Sequence, residues 1–497
     1  MNITTDNLRD AVEKAFLDIV TDGAYCESRW KRYRVFVFSY IFGCIHYTDM
    51  FYLFPEESHF SSPKRIPDAV NAHNAALNYL ASKKYLKRLK DGYYCLDTEG
   101  IKKLYERLGK CGYVSDISFD VFAASCKKRE LYSSHASKSG RLVLSFINSP
   151  VKRFLYEPFL DNKGNIVNKI FARSMPIFII PDAVIHSASS DEVYFIEADS
   201  CKERLNTVLV PKFSVYADFM ENGASLPSST TIHFSVWNDF NENVCSIVDP
   251  YEYTNIVTLY AFFKTFSGQD LSFSSYIDAL LSYSGENENI ARASRFLINE
   301  GVESASSEKE LFLKLEHMGI QKIYTKQFIA RRKQIEHCIA VTPKLKNSLL
   351  LGARLVCLPF HSYNRLYEFV YLEDDAVLGK TKKFIERTFC GHTILRYDPV
   401  ASFADDVTGE CFYFRNMFTL GGSDGLIHVC IENITDDLSG NLRVKKYANF
   451  PRKIHSKNFY IYCLYNDFST EISNVFNTNK EEIEQNIFFV SYSEFSM

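Results

Sequence analysis

The chain has 497 residues, with 57 Lys and Arg against 60 Asp and Glu and a formal net charge of −3. This length predicts about two to four domains, and the lack of any uncharged apolar stretch of about 18 residues argues against a membrane span. The charged start has no secretory pattern, and 13 Cys without CxxC spacing are typical of reduced thiols. We therefore expect a cytoplasmic protein without a disulfide framework or zinc ribbon. The 41 Phe and 31 Tyr favour large cores, although aromatic rings also stack on unpaired bases.

The N-terminal part predicts a helical unit that closes with a hairpin. Thr48 stands where it would cap the second helix, and Pro67 stands in the first turn of the third. Asp91-Gly92 between two short strand-like runs predicts a tight turn. Helix, helix, helix, hairpin, helix is the order of a winged helix-turn-helix, which we assign to residues 1–112. The predicted helices cover residues 34–44, 49–54, 67–80 and 101–108.

This unit is basic within a nearly neutral chain. Residues 26–110 contain 15 Lys and Arg against 9 Asp and Glu, the kind of excess that phosphate binding requires. We expect the third helix to enter the major groove of double-stranded DNA, with Asn71 and Asn74 on its free face. The alternative is that the unit binds another protein. The side chains expected to neutralise phosphates are Lys83, Lys84, Lys87, Arg88 and Lys90.

Residues 113–285 predict an α/β domain that carries an acidic site. Asp182 belongs to one strand of a hairpin, whereas Glu197 and Asp199 end its partner strand on a common face. Three converging carboxylates repel one another unless a cation lies between them, and Mg²⁺ or Mn²⁺ prefers such oxygen ligands. We assign the metal to Asp182 and Glu197, with Asp199 assisting and Lys212 positioning water or phosphate. The predicted strands cover residues 141–147, 176–185, 193–199 and 231–237, and helices are expected around 118–131 and 205–216.

Pro-Asp followed by Glu-x-Asp after a hairpin is the skeleton of the PD-(D/E)xK nuclease motif. Position 199 is Asp where that motif has Lys, so a catalytic lysine would have to be Lys202 or Lys212. The alternative is a solvated hairpin in which Glu197 forms an ion pair with one of these lysines. The fold expected for the domain is that of a restriction endonuclease.

The two motifs together resemble the replication-relaxation family of plasmid proteins. Residues 92–100, at the end of the hairpin, are similar to that family's Y-x-L-T-x-x-G. A second run is similar to its PDA…FxxExD…KxxxY and contains Asp182, Glu197, Asp199, Lys212 and Tyr216. His135 and Glu157 match loosely. The resemblance covers roughly residues 30–240, under half of the chain. It implies plasmid replication or mobilisation, a plasmid origin and other mobilisation proteins as partners, and kinship with MobC-type relaxases. Asp97 departs from the family's usual Thr or Ser.

The C-terminal half carries weaker signals. A basic helical stretch, Lys322, Lys326, Arg331, Arg332 and Lys333, is interpreted as a solvated helix within a connector over 286–339. A second α/β domain of unknown role follows over 340–497, and Glu432 and Asp467 end two of its strands. No P-loop, GxSxG or HExxH motif occurs. Other predicted elements are helices over 255–266, 275–283 and 380–388, a linker at 284–289, and strands over 355–359, 366–372, 412–418, 426–431 and 459–464.

These features leave three functional hypotheses. The first is a Mg²⁺-dependent DNA nicking endonuclease, or relaxase, guided by the winged helix. The second is a replication accessory protein or transcriptional regulator with a vestigial site, which would bind DNA in a salt-sensitive way without responding to metal. The third is a defence-type restriction nuclease, which would cut DNA without plasmid-specific sequences.

Overall fold

The computed structural model describes most of the N-terminal unit and two large sheets with their helices. Mixed α/β architecture with several sheets agrees with the sequence prediction. The elements predicted at 255–266, 275–283, 284–289 and 366–372 lie outside the described residues, as do Thr48 and Asp467. The described residues are 12, 14–16, 18–19, 28–47, 49–54, 65–115, 117–126, 133–147, 154–155, 170–171, 178–187, 192–222, 229–236, 326–359, 375–404, 409–423, 425–434, 436–448, 458–465 and 486–491.

The N-terminal unit has the predicted order of three helices, a hairpin and a helix. The hairpin strands β1 (Leu86–Arg88) and β2 (Tyr94–Leu96) are antiparallel. Asp91 and Gly92 have φ of 55° and 77°, the left-handed conformation that a tight Asp-Gly turn requires. The helices of the unit are α1 (Ser28–Phe42), α2 (Asp49–Leu53), α3 (Arg65–Ser82), α4 (Thr98–Lys110) and α5 (Phe119–Ser125).

Helix α4 packs closely against the start of the hairpin. Asp97 caps it by accepting from the Thr98 N–H at 2.8 Å. A Cβ on Gly100 would lie 2.1 Å from the Tyr85 carbonyl oxygen, so only glycine allows this approach. We expect Gly100→Ala to destabilise the protein by roughly 1–3 kcal/mol in denaturant unfolding. Gly109→Ala on the same helix is the control, because its Cβ would meet nothing closer than 4.0 Å. Equal effects of the two substitutions would contradict this packing.

The predicted strand over 141–147 is wrong, because these residues form the end of helix α6 (Ser133–Ile147). Leu142, Val143 and Leu144 are all buried, and a run that is apolar on every side has no period that separates a strand from a buried helix. Gly140 allows the close approach of α6 to α1, since a Cβ there would lie 2.4 Å from the Phe38 ring.

The first large sheet and a small ribbon beside it are formed by seven of the described strands. They are β3 (Phe154–Leu155), β4 (Ile170–Phe171), β5 (Phe178–Ile179), β6 (Ala183–Ser187), β7 (Glu192–Asp199), β8 (Ser229–Val236) and β9 (Arg354–Pro359). The sheet has the strand order β3-β6-β7-β8-β9. The pairs β3/β6 and β6/β7 are antiparallel, whereas β7/β8 and β8/β9 are parallel. The single strand predicted over 176–185 is wrong: it is divided between β5, which pairs with β4 in the ribbon, and β6.

Alternation along β7 gives the first sheet two different covered faces. Tyr194 and Ile196 belong to a core that continues through α6 into the N-terminal unit. Val193 and Phe195 belong to the opposite core, which includes residues of helices α7 (Val210–Asn222), α8 (Lys326–Val341) and α9 (Pro343–Leu350). A π-helical turn, Leu205–Leu209, leads into α7. Helix α8 therefore packs on the first sheet, although the sequence placed it in a connector.

The second large sheet lies in the C-terminal part of the chain with two helices. The elements are α10 (Asp375–Thr388), β10 (Thr393–Ala404), β11 (Cys411–Gly422), β12 (Gly425–Asn433), α11 (Leu438–Ala448), β13 (Phe459–Tyr465) and β14 (Ile487–Ser491). The strand order is β10-β11-β12-β13-β14. One core of this sheet includes residues of α10 and the other includes residues of α11. The strand predicted at 355–359 is formed, but it is β9 of the first sheet and not part of this one.

Candidate functional site

Asp182 and Glu197 stand opposite each other where β6 begins and β7 ends. The neighbouring residues Ala183 and Ile196 are in register, and the Asp182 N–H donates to the Ile196 carbonyl at 3.0 Å. Asp182 Oδ2 accepts from the Ala198 N–H at 2.8 Å. The hairpin thus brings these two carboxylates to one end of the first sheet.

The Glu197 carboxylate is buried under α7 and is held by two side chains of that helix. Tyr216 OH donates to Glu197 Oε1 at 2.6 Å, and Lys212 Nζ donates to Glu197 Oε2 at 3.2 Å. Lys212 and Tyr216 are four residues apart, so they lie on the same face of the helix. The chain therefore places two of its motif residues, Lys212 and Tyr216, on the carboxylate of a third, Glu197.

A second carboxylate, which the sequence analysis missed, shares the lysine. Lys212 Nζ donates to Glu203 Oε1 at 3.0 Å and lies 3.2 Å from Oε2. Glu203 belongs to the loop after the carboxyl end of β7, where open α/β sheets commonly carry functional side chains. The position of Glu203 just after this strand was the sequence signal that could have identified it. Of the two lysines considered for Glu197, Lys212 makes the ion pair, whereas Lys202 is exposed.

Asp199 is neutralised by a protein cation, although the sequence predicted that it would project with Glu197 towards a metal. Arg331 of α8 donates to both oxygens of Asp199, through Nε and, at 2.9 Å, through Nη2. Arg331 Nη1 also donates to the Glu203 carbonyl at 2.8 Å. Asp199 and Arg331 thus fix the loop that carries Glu203.

The basic stretch at the start of α8 is not a solvated face throughout. Arg331 and Arg332 are 3% and 7% exposed, whereas Lys333 is exposed. Solvation was expected from the charges alone, because the partner of Arg331, Asp199, is 132 residues away in the chain. A buried guanidinium needs such a carboxylate, and single-chain patterns do not reveal one at that separation.

The environment pushes the pKa values of the two opposing carboxyls apart. Burial raises the pKa of Glu197 to about 7, with the Asp182 charge adding to the rise while Lys212 opposes it. Burial also acts to raise the pKa of Asp182, but His135 and the Ala198 N–H outweigh it and the pKa is lowered. Paired carboxyls with divergent pKa values are characteristic of functional sites.

The raised pKa of Glu197 predicts that the metal-free protein loses stability as the pH rises. Folding lifts this pKa from 4.5 to about 7, so the ionised folded state is penalised from pH 4.5 upwards and fully above pH 7. We expect wild type to lose roughly 2–4 kcal/mol relative to Glu197→Gln between pH 4.5 and 8 in EDTA, measured by denaturant unfolding. The control is Glu221→Gln, which changes an exposed carboxylate on α7. A wild-type-to-variant difference that does not change with pH would contradict the burial of a charge here.

The other oxygen of Asp182 is held by helix α6. His135 Nε2 lies 2.8 Å from Asp182 Oδ1. From positions two and six residues further along α6, Ser137 Oγ and Arg141 Nε donate to the buried carboxylate of Asp49 in α2, at 2.7 and 2.6 Å. Helix α6 therefore contacts the acidic site with one side chain and the N-terminal unit with two others.

The donor set of Asp182 and Glu197 fits a hydrated divalent cation. Among the described residues, no group of three or more His, Cys, Asp or Glu is placed to hold a metal ion. Within the described part of the chain, each oxygen of Asp182 and Glu197 takes part in one hydrogen bond, which uses one of its two lone pairs. Mg²⁺ is often bound by one or two carboxylates with water and phosphate as further ligands. Two carboxylates are sufficient for that kind of site.

The residues predicted to contact DNA lie together on the N-terminal unit. Asn71 is exposed on α3 and Asn74 is half-buried. No Asp or Glu occurs between residues 69 and 90. This part of the surface is therefore basic and polar, as phosphate contact requires. The exposed basic side chains of the turn after α3, of β1 and of the hairpin turn are Lys83, Lys84, Lys87, Arg88 and Lys90.

No protein-family model matches the chain, and no curated protein or solved structure is significantly similar to it. The resemblance to the replication-relaxation family therefore stays a prediction from motifs. Within the ranges that the structure describes, no helix is long and apolar enough to cross a membrane.

Proposed function

We propose that this chain binds double-stranded DNA through its N-terminal unit and breaks a phosphodiester bond of that DNA at the acidic site. The observation that carries the proposal is the arrangement of Asp182 and Glu197 on paired strands, with Lys212 of the next helix on Glu197. Carboxylates and a lysine at one sheet end are the residue types that metal-dependent phosphodiester cleavage uses. The PD-(D/E)xK motif and a restriction-endonuclease-like assignment for the first sheet agree with this chemistry.

The order of elements in the N-terminal unit supports a winged helix-turn-helix. We assign α3 to the major groove, where Asn71 and Asn74 would contact base edges. The basic hairpin and the turn before it would contact phosphates and set the position of the unit on the duplex. The resemblance in sequence makes a plasmid origin the DNA that this unit binds, in replication or mobilisation.

Asp182 and Glu197 are the residues that would hold Mg²⁺ or Mn²⁺, which activates water and offsets phosphate charge when bound. The chain's own side chains have separate tasks around them. Tyr216 donates to Glu197 and keeps that carboxylate in one orientation. The Lys212 ammonium, between Glu197 and Glu203, is placed to donate to a water or to a phosphate oxygen.

A continuous core supports cleavage at a fixed distance from the bound site. Buried residues of α1, α4 and α6 share one hydrophobic cluster with β6 and β7. Close-packed interiors transmit position instead of deforming freely. Binding of the N-terminal unit to a defined sequence would therefore place a defined phosphodiester at the acidic site, which is what site-specific nicking at an origin requires.

A DNA-binding protein that does not cleave, such as a replication accessory protein or a transcriptional regulator, is the second candidate. The hydrogen bonds within the site favour it, because His135, Lys212 and Arg331 each already contact one of the carboxylates of Asp182, Glu197 and Asp199. A site neutralised in this way is stable without a metal ion.

Calorimetric titration with Mn²⁺ separates the two candidates. The cleaving enzyme predicts Mn²⁺ binding that Asp182→Asn removes, with DNA binding by the variant unchanged. Glu410→Gln, which changes a half-exposed carboxylate paired with Lys446 just before β11, should bind Mn²⁺ as wild type does. If wild type binds DNA and shows no Mn²⁺ binding that depends on Asp182, the protein is the non-cleaving kind.

A further inference from the structure

The two large sheets are built on the same plan. In each sheet the first two strand pairs are antiparallel and the last two are parallel: β3-β6-β7-β8-β9 in the first and β10-β11-β12-β13-β14 in the second. A helix precedes the first strand in both cases, α6 or α10. A second helix, α7 or α11, connects the third strand to the fourth.

The helices also cover corresponding faces. On β7, Phe195 belongs to the core of α7, whereas Ile196 faces the core that contains α6. On β12, Cys430 belongs to the core of α11, whereas Ile431 faces the core that contains α10. Because side chains alternate along a strand, a residue two positions after Phe195 or Cys430 lies on the face of the connecting helix.

Both of those positions are glutamate, and both are paired by the connecting helix. Lys212 of α7 contacts Glu197, and Arg443 of α11 contacts Glu432 through Nε at 3.1 Å and Nη2 at 2.8 Å. The partner of each glutamate on the second strand differs. Asp182 stands opposite Glu197, whereas Glu432 Oε1 accepts from the Arg415 N–H at 2.7 Å, two residues before Met417, which pairs with Cys430.

We infer that the chain contains one structural unit twice, and that Glu432 is the counterpart of Glu197 in a copy whose acidic site has become a buried ion cluster. In the first unit two carboxylates face each other, an arrangement that attracts cations. In the second unit the Arg443 guanidinium pairs with Glu432 and lies 3.6 Å from the carboxylate of Asp437, which Arg354 also pairs. These carboxylates are neutralised by protein cations and have no excess negative charge to attract a metal ion.

The cluster joins the second unit to the first. Arg443 Nη1 donates to the carbonyls of Leu349 and Ala353, each at 3.3 Å, and Arg415 Nη1 donates to the Gly352 carbonyl at 3.3 Å. These carbonyls belong to the end of α9 and the residues that lead into β9. The side chains of Glu432, Arg415 and Arg443 are almost fully buried. The ion cluster of the second copy therefore has a structural role, because it connects the two units. The corresponding position of the first copy has the role in the proposed reaction.

Matched Glu→Gln substitutions test the inference, with Glu410→Gln, at a half-exposed ion pair with Lys446, as the control. Glu432→Gln removes the buried carboxylate that pairs with the Arg443 guanidinium, so we expect its Tm to fall by about 5–10 °C while cleavage per folded protein is unchanged. Glu197→Gln should keep or raise the Tm at pH 8 and lose cleavage. Arg443→Lys keeps the positive charge but not the two-atom contact with Glu432, so it should lower the Tm by less than Glu432→Gln does. This variant replaces Glu432→Gln in the comparison if Glu432→Gln does not fold.

The cleavage comparison rests on the proposed function, but the comparison of Tm values does not. If no variant and no wild type cleaves DNA, the proposed function fails, and the opposite Tm changes still decide the inference. A Tm for Glu432→Gln equal to that of Glu410→Gln would overturn it. Loss of cleavage by Glu432→Gln at an unchanged Tm would also overturn it, because the second unit would then contain a working site.

Discussion

Replacing Glu197 with Gln is expected to reduce cleavage of the bound DNA by at least about 10³-fold. The substitution keeps the size of the side chain and its contact with Tyr216, but it removes the negative charge that would hold a divalent cation together with Asp182. Because Glu197 lies on the first sheet and the basic hairpin lies in the N-terminal unit, DNA affinity should change by less than about twofold.

The measurement is single-turnover cleavage of a labelled duplex with Mn²⁺ in excess, with fluorescence anisotropy for affinity. Glu221→Gln is the control, since it removes an exposed carboxylate from α7 without touching the acidic site. A Glu197→Gln protein that cleaves within about tenfold of wild type would remove Glu197 from the reaction. An equal loss of cleavage in Glu221→Gln would show that the effect is not specific to the carboxylate of Glu197.

Changing the hairpin to alanine at Lys87, Arg88 and Lys90 should have the second-largest effect, a loss of DNA affinity of about 100-fold near 0.1 M salt. Each lost phosphate contact removes released counterions, so the slope of log K against log salt should become shallower by about 2.7 for three contacts. All three side chains are exposed, which makes a change in the fold a poor explanation for the loss.

A triple lysine substitution of equal charge on α10 is the matched control: Lys380, Lys382 and Lys383 to alanine, all exposed residues. Anisotropy titrations at several salt concentrations give both affinity and slope. If the α10 variant loses as much affinity as the hairpin variant, binding depends on net charge and not on the N-terminal unit. Unchanged affinity in the hairpin variant would place the DNA elsewhere.

Local sequence signals predicted the parts of the fold that depend on local chemistry. The Asp91-Gly92 turn forms with both residues at positive φ, and the helices on either side of it have the expected order. The apolar run 141–147 was misassigned, because burial on all sides removes the period that separates helix from strand. The membership of β9 in the first sheet depends on pairing with β8, more than 100 residues earlier, which no local pattern encodes.

The candidate site was predictable where its residues follow one hairpin and the helix after it. Asp182, Glu197 and Lys212 are close in the chain, and strand register and helical spacing bring them together. The role of Arg331 was not predictable, because its contact with Asp199 spans 132 residues of the chain. Charge repulsion among carboxylates was anticipated, but a protein cation on Asp199 was not, so the need for a metal ion was overestimated at that residue.

The central claim is that the acidic site cleaves DNA that the N-terminal unit has bound. The most direct measurement incubates supercoiled plasmid carrying its native origin region with the full chain and Mg²⁺ or Mn²⁺, beside the Glu197→Gln variant. We expect open circles with wild type and none with the variant. Unchanged supercoils in both, together with a retarded band on native gels, would contradict cleavage and leave a DNA-binding protein.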